Sequence, residues 1–200
     1  ARRHESEAES FDGTKGQTFS MLGEDTPLYS SLLEDSRFYG PAAQLFGDDV
    51  FALEVNSYRY VGDTPWHFND GAPNIHGYGA KYQFPVFDGV TVDTGALRFI
   101  PGSHKDPWQS ELTRWWPLSR GSARSKAGMA YLDKVPCYVA DCNVGDVVLF
   151  DTRILHATLG GKIDRKVSAI TYYHYPETLK ELEVMRTTAL QFYHSPTRWN

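Results

Sequence analysis

The sequence predicts a mainly β fold, a jelly-roll type double sheet preceded by short helices. Strand-like runs rich in Val, Ile, Tyr and Phe are short and are separated by Gly, Pro and Asp. This is typical of antiparallel β architectures and not of alternating βα units. The hydrophobic fraction is 41%, with five Trp, twelve Tyr and eleven Phe among 200 residues. Such a chain can form one packed domain with aromatic-lined cavities, which we expect over residues 25–200.

The N-terminal part differs in character from the rest. Residues 1–24 are polar and contain glycine, and we expect an irregular arm there. Residues 26–46 carry apolar positions three and four apart, and Pro27 suits the first turn of a helix, so one or two short helices are expected. Because the first residue is Ala1 and not Met, we also expect that a preceding segment either has been trimmed or lies outside this sequence.

Six strands are predicted after these helices. The first runs from Val50 to Tyr60 and ends before a Gly-Asp turn. The others are expected at residues 80–87, 96–100, 138–140, 147–151 and 167–175.

A long insertion, residues 105–134, separates two of the strands. It lacks an alternating pattern and contains three tryptophans and several cationic residues. It is either a solvated charged loop or a lid over an anionic or aromatic substrate. The tryptophans favour the lid, with Trp108 and Trp115 as substrate contacts.

Charge and cysteine content limit the classes of partner. The net charge is −5 and there is no long basic run, so the chain has no electrostatic footprint for duplex nucleic acid or an anionic membrane. No apolar stretch approaches the roughly 18 residues of a spanning helix. Cys137 and Cys142 are too few for a disulfide framework or a zinc site. We expect a cytoplasmic protein that binds a small molecule; its oligomeric state stays open.

Two histidines on the edges of strand-like runs predict a mononuclear iron site. His67 follows Thr64-Pro65-Trp66. The strand at 147–151 is expected to continue through Leu155, so that His156 ends it and faces His67. An iron(II) site of this kind uses two neutral imidazoles and usually one carboxylate on one side of the metal, which leaves the other side for oxygen and a cosubstrate. Arg165 lies in the next strand-like run and is expected on the same sheet as His156. Its planar guanidinium is suited to bidentate binding of a carboxylate.

Three segments together resemble a known family. They are Tyr60 to His67 (YVGDTPWH), Thr94 to Lys105 (TGALRFIPGSHK) and Gly145 to Phe150 (GDVVLF). In their order and spacing they resemble the phytanoyl-CoA dioxygenase-like branch of the iron(II)/2-oxoglutarate-dependent oxygenases, including its halogenase relatives. The resemblance covers about residues 50–176.

This resemblance implies a fold, cofactors and residue roles. The expected fold is a double-stranded β-helix, cupin-like, with iron(II) at its open end and O2 as cosubstrate. 2-Oxoglutarate is expected to chelate the metal and to pair its distal carboxylate with Arg165. The turn around His104 is expected to support the barrel, so His104 is not expected to bind metal.

Further contacts are predicted around this centre. Some oxygenases carry a Ser two positions after this Arg, but here Val167 stands there and Ser168 should lie on the opposite strand face. The second contact to the cosubstrate must therefore come from neighbouring strands, and the candidates are Asn56, Tyr58, Lys81 and Gln83. His76 and Tyr78 are the residues expected to face the substrate after the metal loop.

The third metal position leaves the reaction open. An aspartate is expected two residues after His67, but the sequence has Asn69 followed by Asp70. Hydroxylation follows if Asp70 or Asn69 completes the site. Chlorination follows if chloride occupies the position, as in halogenases whose carboxylate is replaced by a small residue. The third alternative is a non-catalytic small-molecule binding module.

Overall fold

Two antiparallel sheets and four helices make up the described part of the computed structural model, which comprises residues 9–68, 79–115, 134–161 and 163–194. The helices are α1 (Pro27–Glu34), α2 (Ser36–Phe46), α3 (Trp108–Trp115) and α4 (Leu179–His194). The strands are β1 (Gln17–Ser20), β2 (Val50–Val61), β3 (Thr64–His67), β4 (Gly79–Pro85), β5 (Leu97–Phe99), β6 (Tyr138–Ala140), β7 (Val148–Asp151), β8 (His156–Thr158) and β9 (Ile163–His174).

The two sheets face each other. The larger sheet has the order β1-β2-β9-β4-β7, and the smaller has the order β3-β8-β5-β6. Phe150 of β7 contacts Phe99 of β5, with their ring centroids 5.1 Å apart. Side chains that point inward from both sheets therefore form one interior, in which any site between the sheets must lie.

The helices α1 and α2 cover the outer face of the larger sheet. Phe38 and Ala42 of α2 are buried against Val55, Ile170 and Tyr172 of the sheet. Because side chains alternate between the two faces of a strand, the odd-numbered neighbours Arg165, Val167, Ala169 and Thr171 of β9 point to the interior. The outer face is thus a helix-covered core, and the inner face is left for the site.

Local sequence signals account for where the helices begin. Pro27 lies in the first turn of α1, where its missing N–H costs no hydrogen bond. The Asp35 carboxylate accepts a hydrogen bond from the backbone N–H of Arg37 and caps α2. Before α4, the Glu181 N–H donates to the Thr178 hydroxyl and the Thr178 N–H donates to the Glu181 carboxylate, which forms a reciprocal capping box. None of the described helices is long and apolar enough to cross a membrane.

The fold confirms the predicted jelly roll and helices and corrects four details. The arm at 1–24, expected to be irregular, contains β1, which pairs with β2. The insertion begins with helix α3. The run 147–155 is broken after Asp151, so His156 begins β8 instead of ending the preceding strand. Arg165 lies in the larger sheet and His156 in the smaller one, whereas the sequence suggested a single sheet.

Candidate active site

His67 and His156 lie side by side in the smaller sheet. They are direct partners in the register between β3 and β8, and their ring centroids are 4.2 Å apart. His156 is buried and its ring also contacts that of Phe150, at 5.1 Å between centroids. The strand pairing therefore brings together two imidazoles that are far apart in sequence, at the interior face.

Both imidazoles are held in the same tautomer. His67 Nδ1 lies 2.8 Å from the carbonyl oxygen of Pro65, and His156 Nδ1 lies 2.9 Å from that of Ile154. A carbonyl oxygen only accepts, so each Nδ1 carries the proton and donates it. Each Nε2 then bears the lone pair that a metal ion requires.

The turn around His104 fixes the backbone beside His156. The Ser103 hydroxyl accepts a hydrogen bond of 2.8 Å from the Leu155 N–H, and the Ile100 N–H donates to the Leu155 carbonyl at 3.1 Å. Ser103 is almost completely buried. The turn thus clamps the residue that precedes His156, which agrees with the supporting role expected of it.

The described residues give no third side chain beside the two imidazoles. Among them, no group of three His, Cys, Asp or Glu side chains is arranged to hold a metal ion. Asn69 and Asp70 lie outside the described residues, as do His76 and Tyr78 and the side chain of Trp115. Trp108 is described, and its side chain on α3 is 64% exposed.

Arg165 is a buried cation on the interior face of β9. The residue is 7% exposed, and its guanidinium lies 4.8 Å from the centroid of the Tyr60 ring. Nη1 donates to the Gly95 carbonyl and Nη2 donates to the Thr158 hydroxyl at 3.3 Å, but Nε is buried without a partner. Burial lowers the pKa of Arg165, although the guanidinium stays charged. No carboxylate of the described chain forms an ion pair with it, so the cation lacks the anion that burial normally requires.

Gly95 makes room for this guanidinium. Its φ is +92°, and a β-carbon at this position would overlap Arg165 Nη1. Any other residue would therefore push the guanidinium out of its place between the Gly95 carbonyl and the Tyr60 ring. The glycine is required by the close approach as well as by the backbone angle.

Thr158 is a hydroxyl that the sequence analysis missed. Its Oγ accepts hydrogen bonds from Arg165 Nη2 and, at 3.1 Å, from the Thr64 N–H. Both lone pairs are thus used, and the hydroxyl hydrogen remains to be donated. The period of two along β8 puts Thr158 on the same face as His156, and that spacing was the signal available in the sequence.

The predicted cosubstrate contacts share the interior face with Arg165. Asn56, Tyr58, Lys81 and Gln83 pair in register with inward-facing residues of β9. Asn56 Nδ2 donates to the Tyr58 hydroxyl at 3.2 Å, and Lys81 Nζ lies 6.0 Å from the centroid of the Tyr58 ring. Ser168 lies on the outer face as expected, where its hydroxyl is 2.7 Å from that of Tyr29.

Glu54 adds a buried carboxylate to the same face. It is 4% exposed, and it accepts hydrogen bonds from the hydroxyls of Tyr173 at 3.0 Å and Thr171 at 3.5 Å. Burial raises the pKa of Tyr173 well above its ordinary value, and the Glu54 charge raises it further. Tyr173 therefore stays protonated, and its hydroxyl donates a hydrogen bond to the Glu54 carboxylate. Glu54 was also missed in the sequence, because it stands in a run that reads only as a strand.

The family follows from a sequence comparison. The model of the phytanoyl-CoA dioxygenase family matches residues 1–166. The chain belongs to this family. This confirms the resemblance found in its three motifs, and membership favours an enzyme over a non-catalytic binding module. No curated protein matches the chain at a significant level.

Solved structures with the same fold are distant in sequence. HygX from Streptomyces hygroscopicus with iron bound has a TM-score of 0.61 and 17% identity, over 90% of this chain and 83% of HygX. SnoN, an α-ketoglutarate-dependent epimerase from nogalamycin biosynthesis, has a TM-score of 0.55 and 18% identity, over 82% and 64% of the two chains. EvdMO1 has a TM-score of 0.50 and 20% identity, over 72% of this chain and 32% of EvdMO1. These likenesses support the double-stranded β-helix.

The described residues fit iron(II) and 2-oxoglutarate, the two groups that the resemblance to this family implies. Two imidazoles in the Nδ1–H tautomer present neutral nitrogen donors of the kind that iron(II) accepts. A buried guanidinium without a carboxylate partner matches the distal carboxylate of 2-oxoglutarate. The donor set and the charge of the interior thus agree with the cofactors.

Proposed function

We propose that the chain oxidises an unactivated C–H bond of a small molecule and that the product is an alcohol. In this proposal His67 and His156 hold iron(II), and Arg165 binds the distal carboxylate of 2-oxoglutarate. The observation that carries it is the pair of Nδ1-anchored imidazoles on the same interior as a buried arginine that lacks an anion.

Thr158 completes the proposed carboxylate site. Its remaining hydroxyl hydrogen can be donated to the carboxylate that Arg165 binds, which replaces the Ser that is absent at position 167. Asn56, Tyr58, Lys81 and Gln83 face the same space and are the further candidates for contact with the cosubstrate. In this proposal the first carboxylate of the cosubstrate binds the metal. A second carboxylate is then needed to offset the buried charge of Arg165, so the site favours a dicarboxylate over a monoacid.

The cofactors and the chain divide the chemistry between them. Iron(II), 2-oxoglutarate and O2 supply the oxidising power that breaks the C–H bond. The chain orients both imidazoles through backbone carbonyls and packs Phe99 and Phe150 against the His156 ring. These apolar rings would help to keep water away from a carbon that reacts beside His156.

Chlorination is the second candidate, and Asn69 is the feature that favours it. An amide is a weaker, neutral donor in the place where an aspartate is expected, and a more cationic metal accepts an anion more readily. The described residues contribute no other carboxylate to the metal. A small-molecule substrate is supported in either case by the structure of HygX with hygromycin B bound, which has a TM-score of 0.58 to this chain.

The deciding experiment is the product mass from reactions with iron(II), 2-oxoglutarate and O2, with and without chloride. The substrates tested are small acids, nucleotides, amino acids and amines. We expect a gain of one oxygen atom in both conditions; a chlorine isotope pattern would replace hydroxylation with chlorination.

Variants of the metal loop then identify the third ligand. If Asn69 faces the metal, Asn69→Asp should increase iron affinity and hydroxylation, Asn69→Gly should allow chloride to enter, and Asp70→Ala should change little. If Asp70 is the ligand, Asp70→Ala should remove most of the iron affinity, because the metal then loses its anionic ligand. His76, Tyr78, Trp108 and Trp115 are proposed as substrate contacts, and their alanine variants should raise KM for the substrate and leave 2-oxoglutarate affinity unchanged.

A further inference from the structure

We propose that Glu54 binds a protonated amine of the substrate. This inference rests on the proposed function, since it names the class of substrate that the same site would take. The residue contributes a buried negative charge to the interior, and a positively charged group on the ligand is the chemistry that would complement it.

The strand register places Glu54 at the level of the proposed metal ligand. Phe150, whose ring contacts that of His156, is the partner of Lys81, and Lys81 is in turn the partner of Thr171. Thr171 pairs on its other side with Glu54. One row of inward-facing residues therefore runs across the sheet from Phe150, which contacts His156, to the carboxylate of Glu54.

Arg165 lies elsewhere along the same strand. It is six positions before Thr171 on β9, in register with Tyr60 and not with Glu54. The interior thus has a cationic end, suited to a dicarboxylate, and a row level with His156 in which the Glu54 carboxylate and the Lys81 ammonium lie on opposite sides of Thr171. A ligand that fills both regions must itself differ in charge along its length.

The partners of Glu54 leave its charge uncompensated. Its two hydrogen bonds come from the neutral hydroxyls of Tyr173 and Thr171, and it forms no ion pair with any described cation. Lys81 lies on the far side of Thr171, and its ammonium group faces the Tyr58 ring. An ionised carboxylate has about four acceptor positions, so two remain for a ligand. An ammonium group brings both the charge and the donors that are missing.

A purely structural role for Glu54 makes a different prediction. Tyr173 also packs with Leu53 of β2 and Met185 of α4, so the Tyr173–Glu54 hydrogen bond could serve only to hold that helix. Glutamine at position 54 keeps an oxygen that accepts from Tyr173 but removes the charge. A structural role is therefore retained in Glu54→Gln, whereas amine binding is lost.

The test is a panel of small primary amines, each paired with the alcohol of the same carbon skeleton. Dissociation constants are measured by calorimetry for the protein loaded with Mn(II) and 2-oxoglutarate, without O2. We expect the amines that bind to do so at least tenfold more tightly than their alcohols. In Glu54→Gln this preference should disappear while the affinity for 2-oxoglutarate is unchanged. The exposed Glu34→Gln is the matched control and should keep the preference.

Two results would overturn the inference. One is a panel in which no amine binds more tightly than its alcohol, and the other is a preference that survives in Glu54→Gln. Tyr173→Phe keeps the carboxylate and should keep the preference, so its loss there would also count against Glu54. If the amide variant does not fold, Glu54→Asp, which withdraws the carboxylate by one methylene, should weaken the preference instead. Failure of 2-oxoglutarate to bind the unmodified protein would refute the proposed function and not this inference.

Discussion

The two faces of the five-stranded sheet treat their buried polar groups differently. On the outer face, the hydroxyls of Tyr29, Ser57 and Ser168 lie 2.7 Å from one another, and the Tyr172 hydroxyl donates to the Leu33 carbonyl at 2.9 Å. On the inner face, Arg165 has a buried Nε without a partner, and Glu54 forms no ion pair with a cation of the described residues.

This difference separates polar groups that stabilise the fold from those that await a ligand. A buried donor or acceptor left unpaired costs about 1–3 kcal/mol, and a charged group costs more. On the outer face, the hydroxyls of Tyr29, Ser57, Ser168 and Tyr172 avoid that cost by pairing with one another or with a carbonyl of the chain. On the inner face, a dicarboxylate bound at Arg165 would reduce it.

The largest expected effect concerns the two imidazoles. Replacing either His67 or His156 with Ala should abolish iron binding, because the loss of a direct ligand exceeds the roughly 10–100-fold cost of losing an outer partner. Iron content after reconstitution measures this. His104→Ala is the control and should retain iron; full occupancy in His67→Ala would refute the site.

The next effect concerns the inner arginine and an arginine at the opposite face. Arg165→Leu should weaken 2-oxoglutarate binding by roughly 2–5 kcal/mol, since the carboxylate would be buried without its cation. Arg59 pairs with Asp164 at 2.6 Å on the same sheet. Arg59→Leu should leave the affinity unchanged. Calorimetric titration of both variants with 2-oxoglutarate measures this. Equal losses of affinity would show that the inner arginine has no special part in binding the cosubstrate.

A smaller effect is expected from the glycine behind Arg165. Gly95→Ala and Gly102→Ala share the strain of a positive φ, at +92° and +81°, but only the first β-carbon meets a neighbour, the guanidinium. Both variants should lose at least about 1 kcal/mol of stability to backbone strain, and Gly95→Ala should lose more because its β-carbon also displaces the guanidinium. Only Gly95→Ala should also raise the Kd for 2-oxoglutarate, by about tenfold, which is roughly 1.4 kcal/mol. Identical affinities in the two variants would show that Arg165 does not need its place beside Gly95.

The smallest effect should come from the outer face. Tyr29→Phe removes one hydroxyl from the cluster of three and leaves Ser57 and Ser168 bonded to each other. The expected loss is about 1 kcal/mol in the free energy of unfolding, measured by urea denaturation. The affinity for 2-oxoglutarate should not change. A variant with native stability and weaker cosubstrate binding would contradict the division between the faces.

Much of the fold could be predicted because it depends on local chemistry. The β-forming residues of Val50–Tyr60 and the Gly-Asp turn after them predicted β2 nearly to the residue, and Pro27 marked the start of α1. Strand β1 was missed since four residues of a polar segment carry almost no periodic signal, and its formation depends on pairing with β2. The break after Asp151 was missed for a similar reason, because the chain crosses there from one sheet to the other.

The sequence by itself determined the candidate residues of the proposed chemistry: two histidines in strand-edge motifs, an arginine in the following strand, and an asparagine where an aspartate is expected. Motif order and strand period are local properties, so they can be read along the chain. The tertiary structure decided how these residues meet. Strand register placed His67 beside His156, and the approach of two sheets put Arg165 against Gly95 and Thr158. It also brought Glu54 to the interior without a cation. Contacts between residues distant in sequence, and the partners they lack, depend on packing that no local pattern encodes.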